Sequence, residues 1–166
     1  MIDIILALLA MGLNAAEEGS VSTGSASVAV PAAPAPETST LVAEPQVPTG
    51  RFTTAVEVKP ILAATRAAWI SKREFNGQDL IYVTHLWSWR CGLVEMRVGL
   101  NGAPPEIWPL PMCHENEQTP NAIKEQDGLP FREFPVGSIE RVEVMITFDD
   151  LTTDHAVYDG NGLLQP

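Results

Sequence analysis

The chain has 166 residues, of which 10 are basic and 21 acidic, so its formal net charge is −11 at neutral pH. A protein this acidic repels phosphate backbones and anionic lipid head groups, which argues against nucleic acid and anionic membrane surfaces as partners. The length suits a single domain, because part of the chain has a composition that does not favour folding.

An apolar segment opens the chain. Residues 2–13 are apolar except for Asp3, and the small residues Ala15 and Ala16 follow where a signal peptidase would cut. Such a segment is shorter than the roughly 20 residues that cross a bilayer. We therefore predict a signal peptide over residues 1–16, a periplasmic or secreted protein, and no membrane span after cleavage. Two alternatives are a buried N-terminal helix of a cytosolic protein and an uncleaved segment that tethers the domain to a membrane.

The next segment, residues 17–50, has no aromatic residue and no Lys or Arg, and its five prolines lie among Ala, Ser, Thr and Val. Ordering a chain costs about 1–2 kcal/mol per residue, and this composition offers little apolar surface to offset that cost. We predict a disordered Pro/Ala/Ser-rich arm over residues 17–50, followed by a single disulfide-bonded α+β domain over residues 51–166.

The first elements of that domain follow from helical spacing and from a turn. Pro60 suits the first turn of a helix, which we predict over residues 57–68. Four residues share one face of that helix: Val58, Leu62, Thr65 and Trp69. Two β-prone runs, residues 69–75 and 80–87, flank Asn76-Gly77, which predicts a β-hairpin. In the second run the side chains that would point to either face of a strand are mostly apolar, so it should be a central strand with both faces covered.

Later strands follow from alternation. Apolar and polar residues alternate over residues 94–100 and 141–148, as in half-buried strands. The prolines within residues 106–111 restrict any strand there to an edge, and residues 112–130 read as a long polar loop. A short strand over residues 156–158 could return to the sheet. The fold class is therefore α+β, with one N-terminal helix packed on a mostly antiparallel sheet of five or six strands.

The two cysteines are Cys91 and Cys113. In an exported domain of this size an even pair predicts a disulfide, which would close a loop of about 22 residues and contribute about 3 kcal/mol. The alternative is a thiol nucleophile with His85, His114 or His155 as its base.

A group of aromatic residues offers a candidate binding surface. Trp87 and Trp89 point to the same face of the predicted strand, Trp108 could lie across the sheet, and His114 begins the polar loop. Exposed aromatic residues of this kind contact sugar rings or peptide partners. If the helix covers that face, the same residues belong to the core.

The histidines and carboxylates lack the spacing of a metal site. No His pair lies at a distance that one turn delivers, and the C-terminal carboxylates do not recur every second residue as in a calcium loop. Those carboxylates are Asp149, Asp150, Asp154 and Asp159. Turns use Asp, Asn and Gly for backbone reasons, so we predict no metal site, no cofactor and no catalytic residue.

These observations favour an exported, non-catalytic domain that contacts another protein or a cell-envelope polymer through one sheet face or the long loop. One alternative is a small hydrolase or sugar-active enzyme that uses His85 or His114 with a carboxylate. Another is a carbohydrate-binding module that uses Trp87 and Trp89.

Overall fold

The structure, a computed structural model, describes residues 41–166; the predicted signal peptide and most of the predicted arm lie outside these residues. The described residues form an α+β fold with one main helix and two antiparallel sheets, so the predicted class is confirmed. In this part of the chain the strands number seven rather than five or six, and they divide between the two sheets. Within residues 41–166, no helix has the length and apolarity needed to cross a membrane.

The described residues contain two α-helices and seven strands. The helices are α1 (Ala55–Ala64) and α2 (Thr84–Trp87). The strands are β1 (Ser71–Phe75), β2 (Gln78–Tyr82), β3 (Leu93–Leu100), β4 (Glu106–Ile107), β5 (Phe131–Pro135), β6 (Arg141–Phe148) and β7 (Thr153–Asp159).

Helix α1 begins two residues before the predicted start, because the carboxylate of Asp149 accepts a hydrogen bond from the N–H of Ala55 at 2.8 Å. It ends at Ala64, and a 3₁₀ turn over Arg66–Ala68 follows. Pro60 lies inside the helix rather than in its first turn. The predicted apolar face is present, since Val58, Leu62 and Trp69 are buried and Thr65 is half-buried.

The three-stranded sheet has the order β1-β2-β5 and contains the predicted hairpin. Asn76 and Gly77 both have positive φ, 50° and 72°, as a two-residue turn between antiparallel strands requires. Strand β2 is the central strand, and its neighbouring residues Leu80 and Ile81 are both buried, so both of its faces are covered as predicted.

The prediction that this strand continues to Trp87 was wrong. The ladder between β2 and β5 ends at the pair Tyr82 and Phe131, and the N–H of Val83 still bonds the carbonyl of Pro130 at 2.8 Å. Because proline has no N–H, it cannot return a hydrogen bond to the carbonyl of Val83. The carbonyl of Val83 instead accepts a hydrogen bond from the N–H of Trp87 at 3.0 Å, and the chain enters helix α2.

The four-stranded sheet has the order β4-β3-β6-β7. Strand β6 shows the predicted alternation; its buried residues are Val142, Val144, Ile146 and Phe148. Strand β4 has two residues and lies at the edge, where the prolines restrict it. Strand β5 was not predicted, because it is an edge strand with no buried residue, and Pro135 ends it.

Both sheets and helix α1 contribute to one core. The indole N–H of Trp69 donates to the carbonyl of Leu62 at 2.9 Å, so the end of the helix is joined to the residues before β1. Gly92, just before β3, lies against the helix: a Cβ there would come within 2.5 Å of Val58 and 3.0 Å of the carbonyl oxygen of Thr54. This close approach requires glycine and brings the disulfide region next to the start of α1.

The residues before Arg51 also contact the domain. The N–H of Glu44 donates to the carbonyl of Asp149 at 2.8 Å. The side chain of Gln46 donates to the Asp149 carboxylate at 2.8 Å and accepts from the N–H of Val56 at 2.9 Å. Contact with the domain therefore begins at Glu44, which lies within the segment assigned to the arm.

Candidate functional site

The structure separates the three tryptophans of the predicted binding surface. Trp87 lies in helix α2 and is 5% exposed, and Trp108, which follows β4, is 3% exposed. Both line a cavity of about 260 Å³, where the guanidinium carbon of Arg132 lies 4.3 Å from the centroid of Trp108. Trp89 follows α2 and is half-buried, so Trp87 and Trp89 do not share a strand face.

Trp89 lies instead in a larger groove formed by three loop segments. The groove measures about 550 Å³ and is lined by residues 50–52, 88–89 and 118–122; we call it the ring groove. The rings of Phe52 and Trp89 meet edge to face, with centroids 5.4 Å apart and planes at 79°. This arrangement is favourable for two aromatic rings, because the positive edge of one meets the negative face of the other.

Phe52 combines an exposed ring with an unfavourable backbone conformation. Its side chain is 40% exposed and its φ is 57°, in the left-handed region. That region costs a residue with a Cβ about 1–2 kcal/mol. The side chain of Asn121 stabilises the conformation: its amide N–H donates to the carbonyl of Phe52 at 2.8 Å, while its oxygen accepts from the N–H of Cys91 at 3.0 Å.

The wall that contains Asn121 belongs to residues 112–130, which we call the disulfide loop. The disulfide between Cys91 and Cys113 joins its first residues to the start of β3. Arg90, which is 2% exposed, supplies a second anchor. Its guanidinium donates to four main-chain carbonyl oxygens at 2.8–3.1 Å, those of Trp87, Met112, Asn121 and Ala122.

A carboxylate neutralises this buried guanidinium. Asp127, whose side chain is 4% exposed, lies 3.2 Å from Arg90, accepts from the N–H of Lys124 at 2.9 Å, and lies 3.1 Å from Nε2 of His114. Burial alone would raise the pKa of Asp127, but these hydrogen bonds and the Arg90 charge outweigh it and lower that pKa. The sequence placed His114 on a binding surface, whereas its ring binds the carboxylate that fixes the disulfide loop.

His85 also has a structural partner. The hydroxyl of Thr65 donates to the carbonyl of Ile61 at 2.7 Å, and it lies 2.8 Å from Nε2 of His85. Because a hydroxyl has one hydrogen, His85 is the donor in the second contact, so this ring nitrogen does not accept the Thr65 proton. Burial lowers the pKa of His85, and its ring supports Trp89 from 6.4 Å.

The four C-terminal carboxylates have separate partners. Asp149 binds the N–H of Ala55, as described above. Asp150 pairs with Lys59, and Asp154 pairs with Arg66 at the 3₁₀ turn. Asp159 accepts two backbone N–H groups of the turn that follows it. Their contacts are those of turns, caps and surface ion pairs.

The ring groove has a simple electrostatic character. Among residues 41–166, no carboxylate lines it, and its one charged side chain is that of Arg51, which donates to the carbonyls of Glu115 and Glu117. The remaining polar lining consists of hydroxyls and amides, including those of Ser88 and Gln118. The groove therefore presents two rings, one guanidinium and several neutral polar side chains.

Sequence reasoning found Trp89 and missed Phe52, Arg90 and Asn121. Phe52 follows Arg51 at the predicted start of the domain, and no local pattern shows that its ring meets Trp89. Arg90 precedes Cys91, and an Arg next to a predicted disulfide is the one signal that could have drawn attention to it. Comparison with protein-family models, with curated proteins and with solved structures finds no match for this chain.

Proposed function

We propose that this chain is an exported, non-catalytic interaction module that contacts another protein or a cell-envelope polymer through the ring groove. The observation that carries the proposal is Phe52, an exposed aromatic residue held at positive φ beside the half-buried Trp89. Strained backbone that the surrounding contacts hold in place is concentrated at functional sites. Folding alone would favour a smaller or more flexible residue at this position.

The anchors around the groove support a binding role. A groove whose walls are fixed before binding loses less conformational entropy when a ligand enters. Here the disulfide, Arg90 and Asn121 fix one wall, and the ring of His85 meets that of Trp89 edge to face at another. The volume of about 550 Å³ lies within the roughly 300–1,000 Å³ typical of ligand sites.

Export is the second part of the proposal. A disulfide persists in oxidising compartments and is rare in reducing ones, and the apolar segment of residues 2–13 has the length of a signal-peptide core. Intact mass of the protein from its native host, with thiol alkylation before reduction, tests this part. We expect loss of about 15 residues, as signal-peptide cleavage requires, and two unalkylated cysteines. Full length with two alkylated thiols would contradict export.

The contact role is tested by sedimentation of the purified protein with insoluble envelope material of its native host. Phe52→Ala should reduce retention about tenfold, because a lost aromatic contact weakens binding by about that factor. Phe75→Ala is the matched control, since Phe75 is 51% exposed and lies at the β1–β2 turn outside the groove. Equal retention of the two variants and the unaltered chain would overturn the proposal.

A further inference from the structure

The walls of the ring groove restrict how a ligand could be held. All of its lining residues, 50–52, 88–89 and 118–122, lie outside the strands. A peptide that binds by adding a strand needs an open strand edge with unpaired N–H and C=O groups. The groove offers no such edge, so its ligand is held by rings and by polar side chains.

The two rings favour a ligand with apolar C–H surfaces. An aromatic face is negative and attracts weakly positive C–H hydrogens, while its edge is positive. Because Phe52 and Trp89 meet at 79°, a ligand in the groove can contact the face of one ring and the edge of the other. A sugar ring carries C–H groups on its faces and hydroxyls around its rim, which suits this geometry.

The polar side chains of the groove and the net charge of the chain restrict which class of ligand the groove can bind. The side chains of Gln118 and Thr119 each donate and accept hydrogen bonds, as sugar hydroxyls also do, whereas the hydroxyl of Ser88 already donates to the carbonyl of Thr84 and can only accept. The guanidinium of Arg51 uses both N–H groups of Nη2 to donate to the main-chain carbonyls of Glu115 and Glu117, so only its other N–H groups could reach a ligand. A net charge of −11 repels polyanions, which disfavours acidic polysaccharides.

We propose that the ring groove binds an uncharged glycan chain of the cell envelope, with Phe52 and Trp89 contacting its sugar rings. This inference rests on the proposed function, because it names the ligand of the same groove. Gln118 and Thr119, which are exposed residues of the disulfide loop, supply the hydrogen bonds to the hydroxyls of the glycan.

The test uses three preparations of insoluble envelope material: untreated, stripped of protein by protease and boiling detergent, and stripped and then oxidised with periodate, which cleaves vicinal diols of sugars. The probe is the stripped polymer. We expect the full chain to be retained on untreated and stripped material and to lose retention on oxidised material. We expect Phe52→Ala to lose about tenfold on stripped material, while Phe75→Ala matches the unaltered chain.

The outcomes separate the two proposals. Retention that Phe52→Ala reduces on untreated material, but that disappears after protein stripping, would overturn the glycan inference and leave a protein partner for the groove. Retention on stripped material that survives periodate would overturn it for every glycan whose sugars carry vicinal diols. Retention that is absent on untreated material, or that Phe52→Ala leaves unchanged, would overturn the proposed function itself. Trp89→Ala is a second variant, with its far-ultraviolet circular dichroism as a check of folding.

Discussion

His85 is a half-buried histidine whose Nε2 donates to Thr65, and burial lowers its pKa below the ordinary value of 6.5. The unfolded chain therefore binds a proton more readily than the folded chain near pH 6. The contribution of neutral His85 to stability is fully present above pH 6.5 and is lost as the pH falls below it.

His85→Gln should remove this pH dependence, because glutamine keeps an N–H donor for Thr65 but does not titrate. The free energy of unfolding, from urea titrations at pH 7.5 and pH 5, should fall more for the unaltered protein than for the variant. Every other titrating group is common to both proteins. An equal fall in the two proteins would show that His85 is protonated at the same pH in the folded and unfolded states.

Asp149 is a buried carboxylate that binds the first turn of helix α1. One oxygen accepts from Ala55 and from Gln46, and the other is buried without a hydrogen-bond partner. Asp149→Ala should lower the free energy of unfolding by about 1–2 kcal/mol, the usual cost of losing a helix cap. Asp149→Asn should cost less, because it keeps one acceptor oxygen and removes a buried charge.

The pKa of Glu44 gives an independent test of the Asp149→Asn variant. Burial raises the pKa of Glu44, and the charges of Asp149 and Glu115 raise it further. Titration by nuclear magnetic resonance should give Glu44 a lower pKa in Asp149→Asn than in the unaltered protein. A pKa of Glu44 that does not change would show that the Asp149 side chain does not act on Glu44.

Among the elements, the disulfide loop depends most on a single side chain. Arg90→Met would leave Asp127 as a buried carboxylate without its guanidinium, and four carbonyl oxygens would lose a donor. Breaking a buried ion pair by removing one partner costs about 3–5 kcal/mol. We expect a loss of that size in urea unfolding, together with faster proteolysis within residues 112–130.

Arg97→Met is the matched control for Arg90→Met. Arg97 pairs with Glu95 on β3, and its side chain is 39% exposed. A surface ion pair contributes less than about 1 kcal/mol. Losses of similar size in the two variants would mean that the Arg90 contacts do not fix the loop.

Element boundaries could be predicted where their cause is local. The β1–β2 hairpin follows from Asn76-Gly77, because the turn itself requires positive φ at both positions. The end of β2 follows from Pro130, which is distant in sequence, so the pattern of residues 80–87 could not show it. For the same reason the sequence predicted Trp87 on a strand, and the structure places it in α2.

At the scale of the whole molecule, the segment from Glu44 to Gly50 is joined to the domain. Besides the bonds of Glu44 and Gln46, the N–H of Thr49 donates to Glu57 at 3.0 Å. Burial alone would raise the pKa of Glu57, but the hydrogen bonds it accepts lower that pKa. The segment therefore covers the beginning of helix α1.

A chain that begins at Arg51 should unfold at lower urea concentration than one that begins at Leu41, with a loss of about 1–2 kcal/mol. The loss is the net contribution of several hydrogen bonds, reduced by the entropy that the freed segment recovers. The chain that begins at Leu41 serves as the control because it keeps every one of these contacts. Coincident unfolding curves would show that the segment adds nothing to stability.

The candidate site was predicted in part. Cys91 and Cys113 could be paired because the chain has no other cysteine. The contacts of Arg90 could not be predicted, since its carbonyl acceptors lie as far as 32 residues along the chain. Every residue carries a carbonyl group, so no residue type identifies the ones that Arg90 binds.

The sequence by itself determined the α+β class, the hairpin, the alternating strand β6 and the disulfide, because each depends on local periodicity, on turn chemistry or on a unique pair. The tertiary structure decided the division into two sheets, the burial of Trp87 and Trp108, and the meeting of Phe52 with Trp89. Alternation indicates which face of a strand is buried, but it does not indicate which element covers that face. Those pairings depend on main-chain groups and side-chain shapes brought together from distant parts of the chain, which is why the ring groove emerges only in the folded molecule.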